Sequence, residues 1–163
     1  MDAILRAFRI ALFDQRAVTR VMLDHGATGD AVLLVAGVNA VVEVVQVFFG
    51  GRFSLVGLLE GTLRGLAGWL VLSFAIWLMG TKLLKGNGDP QTMIRTAGFA
   101  TLPLLLGAFG YGLVGLVWHL ALLVLVARQV LGKGWGEAAA AVALGAALIF
   151  AIQTLVGGAL FRF

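Results

Sequence analysis

Five long stretches of this sequence consist almost entirely of apolar residues. Each has about the ~20 residues that an α-helix needs to cross the hydrocarbon core of a bilayer. Strands of a membrane barrel would instead alternate apolar and polar residues, and the sequence has no strict alternation of that kind. We therefore expect an all-α integral membrane protein, with a five-helix transmembrane bundle in residues 25–163. The predicted spans are residues 30–49, 61–84, 93–110, 111–131 and 137–161.

The composition excludes an ordinary soluble domain. Hydrophobic residues make up 61% of the 163 residues and charged residues only 12%, too few to cover a water-facing surface. The sequence has no cysteine, which excludes disulfides, thiolate metal ligands and a cysteine nucleophile. The formal net charge is +4, but basic residues do not cluster with aromatic ones, so no nucleic-acid partner is expected.

Residues 1–24 are expected to form a basic amphipathic helix ahead of the bundle. On such a helix its apolar residues make one stripe, and its arginines lie mostly off that stripe. The sequence is compatible with a helix that lies in the membrane interface and binds anionic lipid headgroups, and equally with one that docks onto the rest of the protein. The stripe comprises Ile4, Leu5, Phe8, Ala11, Leu12, Val18, Val21 and Met22, and the arginines are Arg6, Arg9, Arg16 and Arg20.

Turn residues separate most of the predicted spans. Gly50-Gly51 is expected to end the first span, and the sequence Gly-Asn-Gly-Asp-Pro at 86–90 is the clearest loop. The link at residues 109–112 is the weakest boundary. The third and fourth spans are therefore either separate helices or one bent re-entrant unit.

Basic residues are distributed unevenly between the two ends of the predicted spans. Nine lie on the side of the N-terminus and three on the opposite side. The positive-inside rule then predicts a cytoplasmic N-terminus and an exterior C-terminus. The nine are Arg6, Arg9, Arg16, Arg20, Lys82, Lys85, Arg95, Arg128 and Lys133, and the three are Arg52, Arg64 and Arg162.

The third and fourth spans contain a motif that resembles a known family. Arg95, Gly98, Phe99 and Pro103 are spaced as R-x-x-G-F-x-x-x-P, and Trp118 follows. Arg128-Gln129-x-x-Gly132 then precedes a run of alanines. This pattern resembles the Yip family, the Ypt/Rab-interacting polytopic membrane proteins, in its short prokaryotic form.

The resemblance implies five helices with a cytosolic N-terminus and an exterior C-terminus. Eukaryotic relatives are implicated in vesicle trafficking through Rab-type GTPases. Their long hydrophilic N-terminal region and D-L-Y-G-P-type motif are absent from this sequence. The resemblance therefore implies structural roles only. They concern Gly98, Phe99, Pro103 and Trp118, and Arg95 completes the motif.

A polar face is predicted on the first span. Asn39, Glu43 and Gln46 are spaced i, i+4, i+7 and share one side of the helix. A carboxylate in hydrocarbon costs about 3 kcal/mol or more, so this face should point into the protein. From its depth Glu43 is predicted to contact Arg64, with Glu60 as a competitor, and His119 falls in the same half of the bilayer. The cluster is either a proton or ion relay or a polar clamp between helices, and we favour the clamp.

Small residues are expected to bring helices close together. Gly57, Gly61 and Gly65 recur every four residues, and Gly145 lies in a second smooth surface on the last span with Ala138, Ala141 and Ala146. These faces serve internal packing or bind a partner helix, and internal packing is the favoured alternative. Pro103 should kink the third span.

The sequence therefore predicts a non-enzymatic membrane protein that acts by helix association, as a scaffold, assembly factor or accessory subunit of a larger complex. Its expected partners are lipid and the helices of other membrane proteins or of a second copy. No cofactor or metal is expected, because reactive side chains are scarce. The alternative is a small transporter or channel with Glu43, Arg64 and His119 along its path. Helical spans and an arginine-, alanine- and glycine-rich composition suggest a bacterial inner membrane.

Overall fold

The part of the chain that the structure describes is built from helices. The computed structural model describes residues 2–48 and 54–160, and every regular element within those ranges is helical. The prediction of an all-α membrane fold is therefore confirmed. The elements are α1 (Asp2–Ala11), α2 (Gln15–Leu23), α3 (Ala27–Phe48), α4 (Leu55–Lys82), α5 (Pro90–Phe99), a 3₁₀ helix (Leu102–Phe109), α6 (Gly112–Leu131) and α7 (Trp135–Leu160).

Among residues 2–48 and 54–160, four helices are long and apolar enough to cross a membrane: α3, α4, α6 and α7. The predicted third span, residues 93–110, is divided instead into α5 and the 3₁₀ helix, which are bent by 41°. Pro103 lies in the first turn of the 3₁₀ segment, and its ring cannot supply the N–H that a continuous α-helix needs there. At about 1.5 Å and about 2.0 Å of rise per residue, the two pieces together are about 30 Å long. That length matches the hydrocarbon core and makes the bent pair a candidate fifth span.

The second span begins earlier than predicted. Ser54 caps α4 by accepting a hydrogen bond from the backbone N–H of Gly57 at 3.2 Å, so α4 runs for 28 residues from Leu55. Gly57 and Gly61 consequently lie inside the helix rather than at its entrance. The predicted end of the first span at Gly50-Gly51 lies outside the described residues.

The N-terminal segment forms two helices rather than the predicted single one. Phe13 has a φ of 61°, which ends α1. The Asp14 carboxylate then accepts hydrogen bonds from the backbone N–H groups of Arg16 and Ala17 at 2.9 and 3.3 Å, which starts α2. Because Arg6 of α1 pairs with Asp24 after α2 at 2.6 Å, the two helices fold back on each other as a hairpin.

The N-terminal hairpin, α1 and α2, docks along α6. Thr19 bonds to Gln129 at 3.1 Å, and Trp118 Nε1 donates to the Ala11 carbonyl oxygen at 2.9 Å. The predicted apolar stripe divides into two groups. Its members in α2 face the protein, whereas most of those in α1 face outward, where lipid can cover them. The buried group includes Ala11, Val18 and Val21, and the exposed group is Ile4, Leu5, Phe8 and Leu12.

We predict that the bent pair crosses the bilayer. The natural chain has no cysteine, so single cysteines can be placed at exposed positions at the two ends of the pair. Asn87→Cys lies before α5, and Tyr111→Cys follows the 3₁₀ helix. Labelling of intact cells and of inverted vesicles with a membrane-impermeant maleimide should modify the two cysteines from opposite sides. Labelling of both from one side would make the bent pair a re-entrant loop.

Candidate functional site

The predicted polar face of α3 packs against the glycine strip of α4. A Cβ atom built on Gly61 would overlap the side chain of Glu43, and one built on Gly65 would overlap the amide of Asn39. Only a residue without a side chain leaves room for these groups. The two features that the sequence predicts separately, the polar face and the strip of small residues, therefore form one helix interface.

Asn39 has a local hydrogen-bond partner within that interface. Its Nδ2 donates to the carbonyl oxygen of Val35 one turn earlier in α3, at 2.8 Å. Glu43 is half-buried beside Gly61, while Gln46 is exposed. The arrangement has the geometry of a packing clamp, in which polar side chains fill space above glycines.

The predicted contact between Glu43 and Arg64 does not form among the described side chains. Arg64 pairs instead with the competitor Glu60, at 2.7 Å between Nη2 and Oε1. Residues 60 and 64 are one turn apart, so they share a face of α4, and both side chains are more than 60% exposed. Gly61 and Gly65 occupy the adjacent face, which meets α3. An exposed pair of this kind contributes at most about 1 kcal/mol.

His119 lies apart from these charges, in the wall of a central cavity. The imidazole is buried, with 7% of its surface exposed, and its Nδ1 lies 2.8 Å from the carbonyl oxygen of Ala100. The cavity has a volume of about 660 Å³, and Asn39 lines it too. The structure thus brings Asn39 and His119 together, while Glu43 and Arg64 are not part of the lining.

Arg95, the first residue of the family motif, is almost completely buried, with 2% of its surface exposed. Its guanidinium donates to the carbonyl oxygens of Val21 at 3.0 Å and Met22 at 2.6 Å, and to Thr92 Oγ1 at 3.2 Å. Those carbonyls belong to the last turn of α2, where the helix leaves acceptors unpaired and its dipole favours a cation. Arg95 therefore fixes the N-terminal hairpin to α5. The sequence identifies this residue but not its role, because nothing in the motif indicates which helix end it reaches.

The other motif residues explain how α5 fits among its neighbours. A Cβ on Gly98 would lie 2.8 Å from Ala31 Cβ and 3.1 Å from the ring of Trp69, so α5 touches both α3 and α4 there. Phe99 is fully buried and Pro103 is buried. Trp118 holds the end of α1 through the hydrogen bond described above. The motif is thus a set of packing contacts around α5.

The N-terminal arginines border a small surface pocket of about 320 Å³ between α1 and α2. Arg6, Arg9 and Arg20 line it, and the exposed Arg16 lies nearby on α2. The hydrogen bond from Arg6 lowers the pKa of Asp24, which keeps that carboxylate ionised and α1 attached. Within the described ranges, no group of three or more histidine, aspartate or glutamate side chains is placed to hold a metal ion.

We predict that Arg95 is essential for stability. Arg95→Ala removes three hydrogen bonds, leaves the Met22 carbonyl without the donor that Arg95 supplies, and leaves the Val21 carbonyl with only the 3.3 Å bond from Asp24 N–H. It should lower the free energy of unfolding by about 2–4 kcal/mol. Arg16→Ala, in the exposed part of α2, is the control and should change it by less than about 0.5 kcal/mol. Denaturant titration in detergent micelles measures both. Equal effects of the two substitutions would contradict the proposed role of Arg95.

A second prediction concerns the close contact between α7 and α4. A Cβ on Gly145 would lie 2.9 Å from the backbone nitrogen of Ile76, whereas a Cβ on Gly136 of the same helix meets nothing within 4 Å. Gly145→Ala should therefore push the helices apart and cost about 1–3 kcal/mol. Gly136→Ala should be neutral or slightly stabilising, because alanine favours helix. The prediction fails if thermal unfolding shows the Gly145 variant to be as stable as the Gly136 variant.

Comparison with known proteins gives one match. No curated protein and no solved structure matches the chain. The family model described as the Yip1 domain matches residues 17–157, which include α3 to α6, the motif around Arg95 and most of α7. The expectation drawn from that motif is confirmed, and the chain belongs to the Yip1-domain family of membrane proteins.

Proposed function

We propose that this membrane protein acts through helix association, as a scaffold, assembly factor or accessory subunit of a larger membrane complex. The observation that carries the proposal is a face of small residues on the outside of α7. Ala139, Ala143 and Ala147 recur every four residues and are exposed. They are distinct from the small residues of α7 that face the bundle.

The inner face of α7 packs against other helices of the bundle. Ala138 and Ala141 are fully buried, and Gly145 contacts the α4 backbone at Ile76. The smooth surface predicted from these residues thus serves internal packing. The outer alanines lie on the opposite side of the helix, where no other described helix covers them.

Small residues at this spacing favour association in a membrane for a physical reason. Lipid chains are as apolar as leucine, so helices gain little by hiding apolar surface from them. Close backbone contact and dispersion supply the free energy of association instead, and alanines every four residues allow that contact. An outer face of this kind is therefore suited to a transmembrane helix of a partner or of a second copy.

We further propose that the N-terminal hairpin binds anionic lipid headgroups. The pocket lined by Arg6, Arg9 and Arg20 also includes the exposed apolar residue Leu5, a combination suited to the headgroup boundary. Clustered arginines attract phosphate-bearing lipids at about 1 kcal/mol per residue.

The proposed location is a bacterial inner membrane, with the N-terminus in the cytoplasm and the C-terminus outside. The distribution of nine basic residues against three supports this orientation. Two of the three exterior residues, Arg52 and Arg162, lie outside the described residues.

The alternative, a transporter or channel, has weaker support. It requires Glu43, Arg64 and His119 along one path. Arg64 is exposed and paired with Glu60, and only His119 of the three lines the central cavity.

The test of association uses cysteine crosslinking in native membranes. Ala143→Cys in the otherwise cysteine-free chain is labelled with a maleimide that carries a photoreactive diazirine; illumination should then give a crosslinked product, and mass spectrometry identifies the second chain. Ala143→Leu should reduce copurification of that partner in mild detergent by tenfold or more, which corresponds to about 1.4 kcal/mol.

Ala121→Leu is the matched control, because Ala121 is an exposed alanine on the outer face of α6. It should leave copurification unchanged. If Ala121→Leu abolishes association and Ala143→Leu does not, α6 rather than α7 carries the interface. Absence of any partner or second copy in both assays would contradict the association proposal itself.

A further inference from the structure

The central cavity is lined by all four long helices, and its lining is mainly apolar. Its volume of about 660 Å³ lies within the ~300–1,000 Å³ typical of small-molecule sites. Its lining comes from α3, α4, α6, α7 and the bent segment between α5 and α6. No charged side chain of the described residues is part of that lining.

The buried ring of His119 is the polar feature that gives the cavity a chemical preference. A carbonyl oxygen only accepts hydrogen bonds, so Nδ1, 2.8 Å from the oxygen of Ala100, carries the hydrogen. In apolar surroundings without a carboxylate the ring is neutral, because a charged ring would be costly there. Nε2 then has an unshared electron pair, and it has no hydrogen-bond partner among the described residues. Every fully buried side-chain nitrogen or oxygen of the described residues has a hydrogen-bond partner. Nε2 has none, so it is not fully buried, and the accessible space beside the ring is the cavity that His119 lines.

The hydroxyl groups in the lining use their hydrogens elsewhere. Ser73 Oγ donates to the carbonyl oxygen of Trp69, and Thr101 Oγ1 donates to that of Gly98, each at 2.7 Å. Each hydroxyl has only one hydrogen. Both residues therefore offer the cavity an acceptor, as His119 Nε2 does. Asn39 also lines the cavity; its Nδ2 donates one hydrogen to the Val35 carbonyl, so the amide keeps a second hydrogen and an acceptor oxygen. A ligand that matches this lining therefore has a hydrogen-bond donor, and a hydroxyl group, which both donates and accepts, suits it.

The cavity can be reached from the side of the bundle. Gly68 of α4, Leu116 of α6 and Phe150 of α7 line it and are also exposed. These three residues mark a lateral opening among apolar helix surfaces, where lipid rather than water surrounds a membrane protein. A molecule that enters by this route comes from the bilayer.

We propose that the central cavity binds a neutral lipid with an apolar chain and one hydroxyl group, and that this hydroxyl donates a hydrogen bond to His119 Nε2. The apolar walls take the chain, and the lateral opening admits it. Apolar walls and an opening toward lipid do not favour the binding of a free ion. This binding site is independent of the association surface on α7.

The test uses the purified full chain in lipid nanodiscs and a long-chain alcohol that carries a photoreactive diazirine. Labelling should map to peptides that line the cavity. Hexadecanol should compete at a concentration about threefold to tenfold lower than hexadecane, because the alkane cannot form the hydrogen bond. His119→Phe should keep the labelling but remove the preference for the alcohol.

Two glycines supply a matched pair for the site itself. A Cβ on Gly68 or on Gly37 meets nothing within 4 Å, but only Gly68 lines the cavity. Gly68→Leu should reduce labelling at least fivefold, and Gly37→Leu should leave it unchanged. Leu116→Trp fills the same opening and serves as a second variant if Gly68→Leu does not fold.

Equal competition by alcohol and alkane in the unmodified protein would overturn the role of the hydroxyl. Labelling that neither cavity variant reduces would overturn the site. If hexadecanol gives no protection at all, the proposal is wrong.

Discussion

The buried guanidinium of Arg95 holds the N-terminal hairpin against the rest of the bundle. Burying a cation costs several kcal/mol unless its hydrogens are bonded, and here three bonds reach the end of α2 and Thr92. The partners are carbonyl groups at a helix terminus, which carry partial negative charge; the Val21 carbonyl has only one other bond, from the Asp24 N–H at 3.3 Å. The guanidinium and the carbonyl groups thus bond to each other, which offsets the free-energy cost of removing both from water. The position of α2 against α5, and hence that of α1 against α6, follows from this contact.

Close backbone approach at glycine positions organises the remaining helices. Gly61 and Gly65 accommodate Glu43 and Asn39 between α3 and α4, and Gly145 brings α7 onto the backbone of α4. The polar side chains at the first interface are thereby kept off the lipid surface without an ion pair. Shape, rather than charge complementarity, accounts for the pairing of these helices.

Much of the fold could be predicted from the sequence, because a bilayer permits few solutions for long apolar stretches. The all-α class and the inward position of Asn39 and Glu43 follow from hydropathy and spacing, and the motif around Arg95 follows from the family resemblance. Gln46 is predicted on the same inward face, but it is exposed. The break between α5 and the 3₁₀ helix was expected only as a kink, since Pro103 fixes its own φ but not how far the altered hydrogen bonding extends. The predicted contact between Glu43 and Arg64 is wrong, because similar depth in the bilayer does not place two side chains on facing sides of their helices. The glycines of α4 face α3, and this places Arg64 on a different side of α4.

The role of His119 depends on a cavity formed by five elements, which no local sequence pattern contains.

The docking of the N-terminal hairpin has a consequence for biosynthesis. Its contacts with Trp118 and Gln129 join residues more than 100 positions apart in the chain. At about 5–20 residues per second, a ribosome needs several seconds to make the intervening segment. The first helices to emerge are therefore among the last to reach their final place, and until α6 is inserted their apolar faces depend on lipid or on a chaperone for cover.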